Sequence, residues 1–198
     1  MEYSIDKFEK NELIDEIIIV HRSEHQDFID EINFKKYKKI VNIIHGADKR
    51  RKSAKKALDL ISEENSLILI HDAVRPLVSD EVITNTVKEL KTEKSVYPAV
   101  KSSDTIIQEE NGYVNKIPVR DYMMKGQTPQ GFHFDVIKEA HELAEKEENI
   151  DDFITNDCGL VDYFKLSKIK IIEGNLENFK LTYITDFELM QKLYESCQ

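Results

Sequence analysis

Three stretches of this chain carry residues able to do chemistry on a charged ligand. Residues 66–76 read Ser-Leu-Ile-Leu-Ile-His-Asp-Ala-Val-Arg-Pro, four consecutive aliphatic residues running into His71, Asp72 and Arg75. A short apolar run bounded by turn formers suits a strand buried on both faces of a sheet. In open α/β sheets ligands bind beyond the carboxyl ends of such strands, which is where Asp72 stands. A carboxylate there can attract a divalent cation or a hydroxyl. Equally, Asp72 can cap a neighbouring backbone while Arg75 pairs on the surface. The second stretch is Asp48-Lys-Arg-Arg-Lys-Ser53, a basic start to a helical pattern. Cations at a helix N-terminus oppose the macrodipole, so either an anion binds there or the run is a solvated face. The third is residues 117–132, with two prolines and two glycines around Arg120, Lys125, Gln127, Thr128 and Gln130. This composition predicts an ordered loop.

The elements around these stretches alternate. Strand signals at 13–20, 39–45, 66–71 and 95–100 are separated by helical patterns at 25–32, 54–61 and 79–90, with Ser79 as an N-cap. A short helix with Ser4 as its N-cap precedes them. Right-handed crossovers would gather these strands into one mostly parallel sheet, an α/β fold. Asn111-Gly112 between two strand-like runs is a strong hairpin signal. That hairpin leaves the sheet, so its apolar face needs cover, and a second subunit could supply it. After residue 132 come a helix near 137–144, an acidic loop at 145–152, a short helix after Thr155, a strand at 169–172 and a last helix from Asp186.

With 198 residues and 40% hydrophobic residues, one domain spanning 1–198 is the expected organisation. A formal charge of −10 argues against binding nucleic acid through a basic surface. Cys158 and Cys197 match neither a CxxC pair nor a zinc pattern, which fits a reduced, cytoplasmic setting. No apolar run is long enough to span a bilayer and no leader is visible, so no membrane association is expected.

Taken in order, Gly46-Ala-Asp-Lys-Arg with Ser53, His71-Asp-Ala-Val-Arg-Pro76, Asp104-Thr105, Val119-Arg-Asp, Gln127-Thr-Pro-Gln with Phe132, and Glu173-Gly-Asn through Asn178-Phe-Lys-Leu-Thr182 resemble the cytidylyltransferases that activate sugar or polyol phosphates. The resemblance covers nearly the whole chain. It implies a Rossmann-like sheet of the nucleotide-diphospho-sugar transferase type with a protruding β-hairpin arm, here 101–126, that forms a homodimer. It also implies transfer of a cytidylyl group from CTP to a polyol phosphate, with Mg²⁺ or another divalent cation. Residues 117–130 look more like the D-ribitol 5-phosphate branch, and the 2-C-methyl-D-erythritol 4-phosphate branch is the alternative. By resemblance, Asp48, Ser53 and Ala73 would contact the nucleotide, and Asp72 the metal and sugar hydroxyls. Arg120, Thr128 and Thr155 would hold the acceptor, and Lys180 would face the reacting phosphates. Arg120 is expected to act from the neighbouring subunit, the alternative being a hairpin folded back on its own domain with Arg120 acting in cis. The family's opening strand and glycine-rich turn have no match in this sequence. An N-terminally truncated chain is therefore expected, with unpaired sheet edges and impaired catalysis; a non-catalytic dimerising protein is the reading from another class. Ala47 replaces a usual glycine and Ile184 a usual proline.

Overall fold

The computed structural model describes residues 1–196. In chain order the regular elements are α1 (Glu2–Lys10), β1 (Ile17–His21), α2 (Gln26–Asp30), β2 (Ile40–His45), α3 (Arg50–Leu58), β3 (Leu67–Ile70), α4 (Asp80–Glu89) and β4 (Ser95–Lys101). There follow β5 (Gln108–Glu110), β6 (Tyr113–Lys116), β7 (Met124–Gly126), β8 (Gln130–His133), α5 (Phe134–Ala144), α6 (Asp157–Tyr163), β9 (Lys170–Glu173) and α7 (Ile184–Ser196). The fold is α/β, as the alternation of patterns predicts.

The main sheet has the order β3-β8-β4-β7, with β9 also paired to β4. β4 and β9 pair in parallel, while β8 is antiparallel to both β3 and β4, so β3, β4 and β9 run in one direction. Both faces are covered, because alternate residues of a strand point to opposite sides. Ile68 and Ile70 pack with Phe132, Ile137, Ala140 and Leu160 on the α5 and α6 side. Leu69 packs with Val78, Val82 and Ile83 of the α4 side. The continuous aliphatic run that predicts a strand buried on both faces is thus accounted for.

β1 and β2 form a separate parallel pair. Between β1 and β3 lies a cavity of about 870 Å³, bordered by Ile18, Val20, Leu67, Leu69 and His71 among others. Neither β1 nor β3 has a ladder partner on its second edge among the described residues.

Several local expectations change. Residues 117–132 are not all loop: they contain β7 and β8. The latter, Gln-Gly-Phe-His, has no β-branched residue, and it is a strand because it is buried between β3 and β4. Tertiary burial overrides weak propensity here. Ser4 lies inside α1, whose N-cap is Met1, and its hydroxyl instead donates to Ala73 O at 3.2 Å. The helical pattern at 25–32 yields only a 3-10 turn and the five residues of α2. Ser79 caps α4 as read, its Oγ accepting from Val82 N–H at 3.3 Å. The Asn111-Gly112 hairpin also forms, with φ of 54° and 83° at its two turn residues, as the favoured two-residue turn requires. Cys158 is buried and unpaired; Cys197 lies outside the described residues.

Candidate active site

Three loops meet at the end of β3. The first is the turn after that strand, residues 71–76, closed by Arg75 N–H donating to Asp72 O at 2.9 Å. The second, 127–129, joins β7 to β8. The third, 174–182, follows β9. Buried amides tie the last two together. Gln127 Nε2 donates to Asn175 O at 2.7 Å and its Oε1 accepts from Asn175 N–H at 3.1 Å, while Asn178 Nδ2 donates to Thr128 O at 2.8 Å. Leu181 N–H donates to Val74 O at 2.9 Å, which fixes the segment bearing Lys180 against the first turn.

Thr128 organises the first turn from beneath. Its Oγ accepts the Asp72 N–H at 3.0 Å and lies 3.0 Å from His71 Nδ1. The other ring nitrogen, Nε2, is 3.1 Å from Arg75 O, which can only accept. His71 is therefore protonated at Nε2, and the Thr128 hydroxyl donates to Nδ1. Burial pushes the His71 pKa down to about 4, so the ring is neutral near pH 7.

Asp72 is the centre of the charge cluster. Its Oδ1 is 3.2 Å from Arg50 Nε, and its Oδ2 is 3.3 Å from Lys180 Nζ and 3.7 Å from Arg75 Nε. Burial pushes its pKa up, but Arg50, Lys180 and Arg75 together outweigh that and hold it below the usual carboxylate range. Arg75 is anchored by donating through Nη1 to Asn178 O at 2.8 Å. With the buried Asp157 also pairing with Arg50, at 2.6 Å, three cations meet two carboxylates, and the cluster stays net positive on an acidic chain. Such a site suits a ligand with several negative charges.

Arg50 enters from α3, where the basic start of the helix divides its labour. Arg51, one residue on, points instead to Asp151 and Glu145, with Nε donating to Asp151 Oδ1 at 2.7 Å. Ser53 Oγ accepts from Ala47 N–H at 2.9 Å and so shapes the turn ahead of α3. Asp48 is exposed and pairs with Lys52 at 3.4 Å. Thr155 is exposed and borders a cavity of about 230 Å³ together with Lys49, Arg50 and Asp157.

The structure therefore brings Asp72, Ala73, Thr128 and Lys180 to one place, with Thr155 nearby beyond Arg50. Asp48 and Ser53 stand at the turn leading to α3. Arg120 is not with them: it lies exposed in a 3-10 turn at the base of the arm, with no side-chain partner among the described residues. Arg50 and the buried Asp157 behind it were missed from sequence as individual site residues. The available signal was the basic run 49–52.

The sheet, the strand-end carboxylate and the surrounding cations fit a nucleotidyltransferase of the Rossmann-like type, which is the class of the family the chain matches. The chain matches the family model "IspD: 2-C-methyl-D-erythritol 4-phosphate cytidylyltransferase" over residues 1–196 and belongs to that family. It is 35% identical over 195 residues to the 2-C-methyl-D-erythritol 4-phosphate cytidylyltransferase of Caldicellulosiruptor saccharolyticus, covering 98% of this chain and 84% of that one. It is also similar to the bifunctional ribulose 5-phosphate reductase/CDP-ribitol pyrophosphorylase of Haemophilus influenzae, at 32% identity over 99% of this chain and 42% of that protein. Among solved structures, the 4-diphosphocytidyl-2C-methyl-D-erythritol synthase of Anaerococcus prevotii superposes with a TM-score of 0.87 at 31% identity, covering 98% of this chain and 85% of that one. The chain is thus a cytidylyltransferase by family. No described helix is long and apolar enough to cross a membrane.

Proposed function

We propose that this protein transfers the cytidylyl group of CTP to 2-C-methyl-D-erythritol 4-phosphate. A phosphate oxygen of the acceptor forms a bond to the α-phosphorus of CTP, the bond from that phosphorus to the bridging oxygen breaks, and pyrophosphate leaves with the electron pair. The observation that carries the reading is Asp72 held among Arg50, Arg75 and Lys180 at a strand end, within a chain of this family. Positioning and charge neutralisation are the protein's main tasks in phosphoryl chemistry. Lys180, half exposed, can turn from Asp72 to a phosphate oxygen as a compact point charge, while Arg50 and Arg75 keep Asp72 in place.

The acceptor differs from the one favoured by residues 117–130, which resemble the ribitol branch. The matched family and the relative from Caldicellulosiruptor favour the methylerythritol phosphate. D-Ribitol 5-phosphate stays the second reading because the CDP-ribitol pyrophosphorylase relative is 32% identical.

A divalent cation such as Mg²⁺ fits the site only as a companion of the triphosphate. Among the described residues no three His, Cys, Asp or Glu side chains cluster as a metal cage. Asp72 would contribute one carboxylate oxygen, with phosphates and water as the other ligands, the usual way Mg²⁺ is held beside nucleotides. When bound, the ion would neutralise charge on the phosphates.

The arm supports assembly as a homodimer. Tyr113 and Tyr122 are each 80% exposed, and Val114, Ile117 and Val119 are exposed beside them. Packing these against a second subunit would bury them and carry Arg120 toward the neighbour's acceptor.

The test is pyrophosphate release from CTP with each acceptor in turn. Turnover with the methylerythritol phosphate at a kcat/KM at least about tenfold above that with ribitol phosphate supports the first reading. The reverse ratio would favour the second, and no turnover with either sinks both.

A further inference from the structure

Asp157 opens α6 and is fully buried. Each of its polar groups has a partner. Its N–H donates to Gln130 Oε1 at 3.1 Å, its Oδ1 accepts from His141 Nε2 at 3.0 Å, and its Oδ2 accepts from Arg50 Nη1 at 2.6 Å. Gln130 is itself fixed, since its Oε1 also accepts from Cys158 N–H at 3.1 Å and its Nε2 donates to Asn156 Oδ1 at 3.2 Å. Asn156 in turn caps α6 through Gly159 N–H at 2.9 Å.

A buried ion pair is weak evidence for stability, because desolvating both charges offsets most of their attraction. What such a pair does supply is geometry. The guanidinium is planar and rigid, so fixing one of its nitrogens fixes the direction of the others. With Nη1 clamped on Asp157, Nε faces Asp72 Oδ1. With Oδ1 engaged there, Oδ2 is left toward Lys180 and Arg75.

We infer that Asp157, clamped by His141 and Gln130, is a positioning residue for the transfer site: it fixes the Arg50 guanidinium, which in turn orients the Asp72 carboxylate. Its kinetic consequences rest on the cytidylyl-transfer reading; its geometric ones do not. The competing role is structural, with Asp157 merely joining α5 to α6.

The test compares wild type, Asp157→Asn, Arg50→Lys and the double variant. Positioning predicts that Asp157→Asn lowers kcat about tenfold or more, the usual scale for outer partners of a reacting site, with a smaller change in KM for CTP. The double variant should be no slower than Arg50→Lys alone, because Asp157 acts only through Arg50. A structural role predicts lower thermal stability with multiplicative rate losses, and that outcome overturns the inference. The second readout needs no turnover. In protein labelled with ¹⁵N-arginine, the Arg50 Nε–H, assigned by its loss in Arg50→Lys, should exchange slowly in wild type and rapidly in Asp157→Asn. The Arg51 Nε–H, held by Asp151, should stay protected in both. An unchanged Arg50 signal in Asp157→Asn overturns the inference even if activity falls. If wild type shows no turnover, the functional reading fails while the exchange measurement still decides this one. Should Asp157→Asn not fold, His141→Gln, which alters only the donor behind Asp157, takes its place in both measurements.

Discussion

At the end of β3 burial pushes the pKa of Asp72 up and that of His71 down, but the cations around Asp72 reverse its shift, so both groups lose their stabilising contribution as pH falls. Asp72 stays ionised below the usual carboxylate range because cations surround it; its contribution to stability is present above the unfolded pKa and lost as pH falls through the lower folded value. His71 has a folded pKa of about 4, below its ordinary 6.5. The unfolded chain therefore binds a proton that the folded one refuses, and stability is fully present above about pH 6.5 and declines toward pH 4. The total decline is about 3 kcal/mol for a shift of this size. Denaturant midpoints measured between pH 7 and 4.5, without metal, should fall in wild type and fall distinctly less in His71→Gln; equal falls would show that His71 is not the source. Asp72→Ala should abolish turnover while leaving far-ultraviolet dichroism unchanged, since its partners are partly exposed cations and not core residues. Retained kcat would remove Asp72 from the site. Asp72 was legible because an aliphatic run delivers it, and Lys180 because the family resemblance extends to it. Arg50 was not. Four successive residues, 49–52, are cationic, and helical geometry turns each about 100° from the last, so only the placed helix tells which one reaches Asp72.

Among the elements, helices and buried strands with strong periodicity were readable, and the arm was readable from its turn. β7 and β8 were not, since prolines and glycines in 117–132 signal a loop to any local rule. β8 exists because of what surrounds it. Gly131 stands against α4, where a Cβ would meet Thr86 Cγ2 at 2.6 Å and Leu90 Cδ1 at 3.0 Å. Gly131→Ala should therefore destabilise by about 1 to 3 kcal/mol through overpacking. Because β8 runs directly into α5 and begins two residues after Thr128, the same change should lower kcat in the folded fraction. Urea denaturation read beside turnover checks this, and a shift in midpoint below about 0.5 kcal/mol would show that α4 yields freely. The arm behaves differently, since its strands are exposed throughout. Tyr113→Ser should leave the denaturation midpoint nearly unchanged and weaken self-association in sedimentation; unaltered association would place the dimer contact elsewhere.

For the molecule as a whole, the gap between the main sheet and the β1–β2 pair leaves two strand edges open. The ladder bonds show which backbone groups of these edges have no partner among the described residues. In β1, Ile17 N–H donates to Lys39 O and His21 O accepts from Gly46 N–H, so the odd-numbered residues face β2. In a parallel ladder the intervening residues, Ile18 and Val20, then turn their N–H and C=O the other way. In β3, Phe134 N–H donates to Ser66 O, which makes Ile68 and Ile70 the hydrogen-bonded partners of β8 and turns Leu67 and Leu69 outward. All four outward residues line the cavity of about 870 Å³. Two open edges facing one cavity are a template for further strand pairing, and neither carries a lysine or proline to prevent it. Amide hydrogen exchange at low protein concentration should therefore find Ile18, Val20, Leu67 and Leu69 fast while Ile19 and Ile68 are slow. Raising the concentration should slow the four together as edges pair between molecules. Protection of all four that does not change with dilution would mean that the two edges are already paired within one molecule, and the gap between the sheets would not exist in solution.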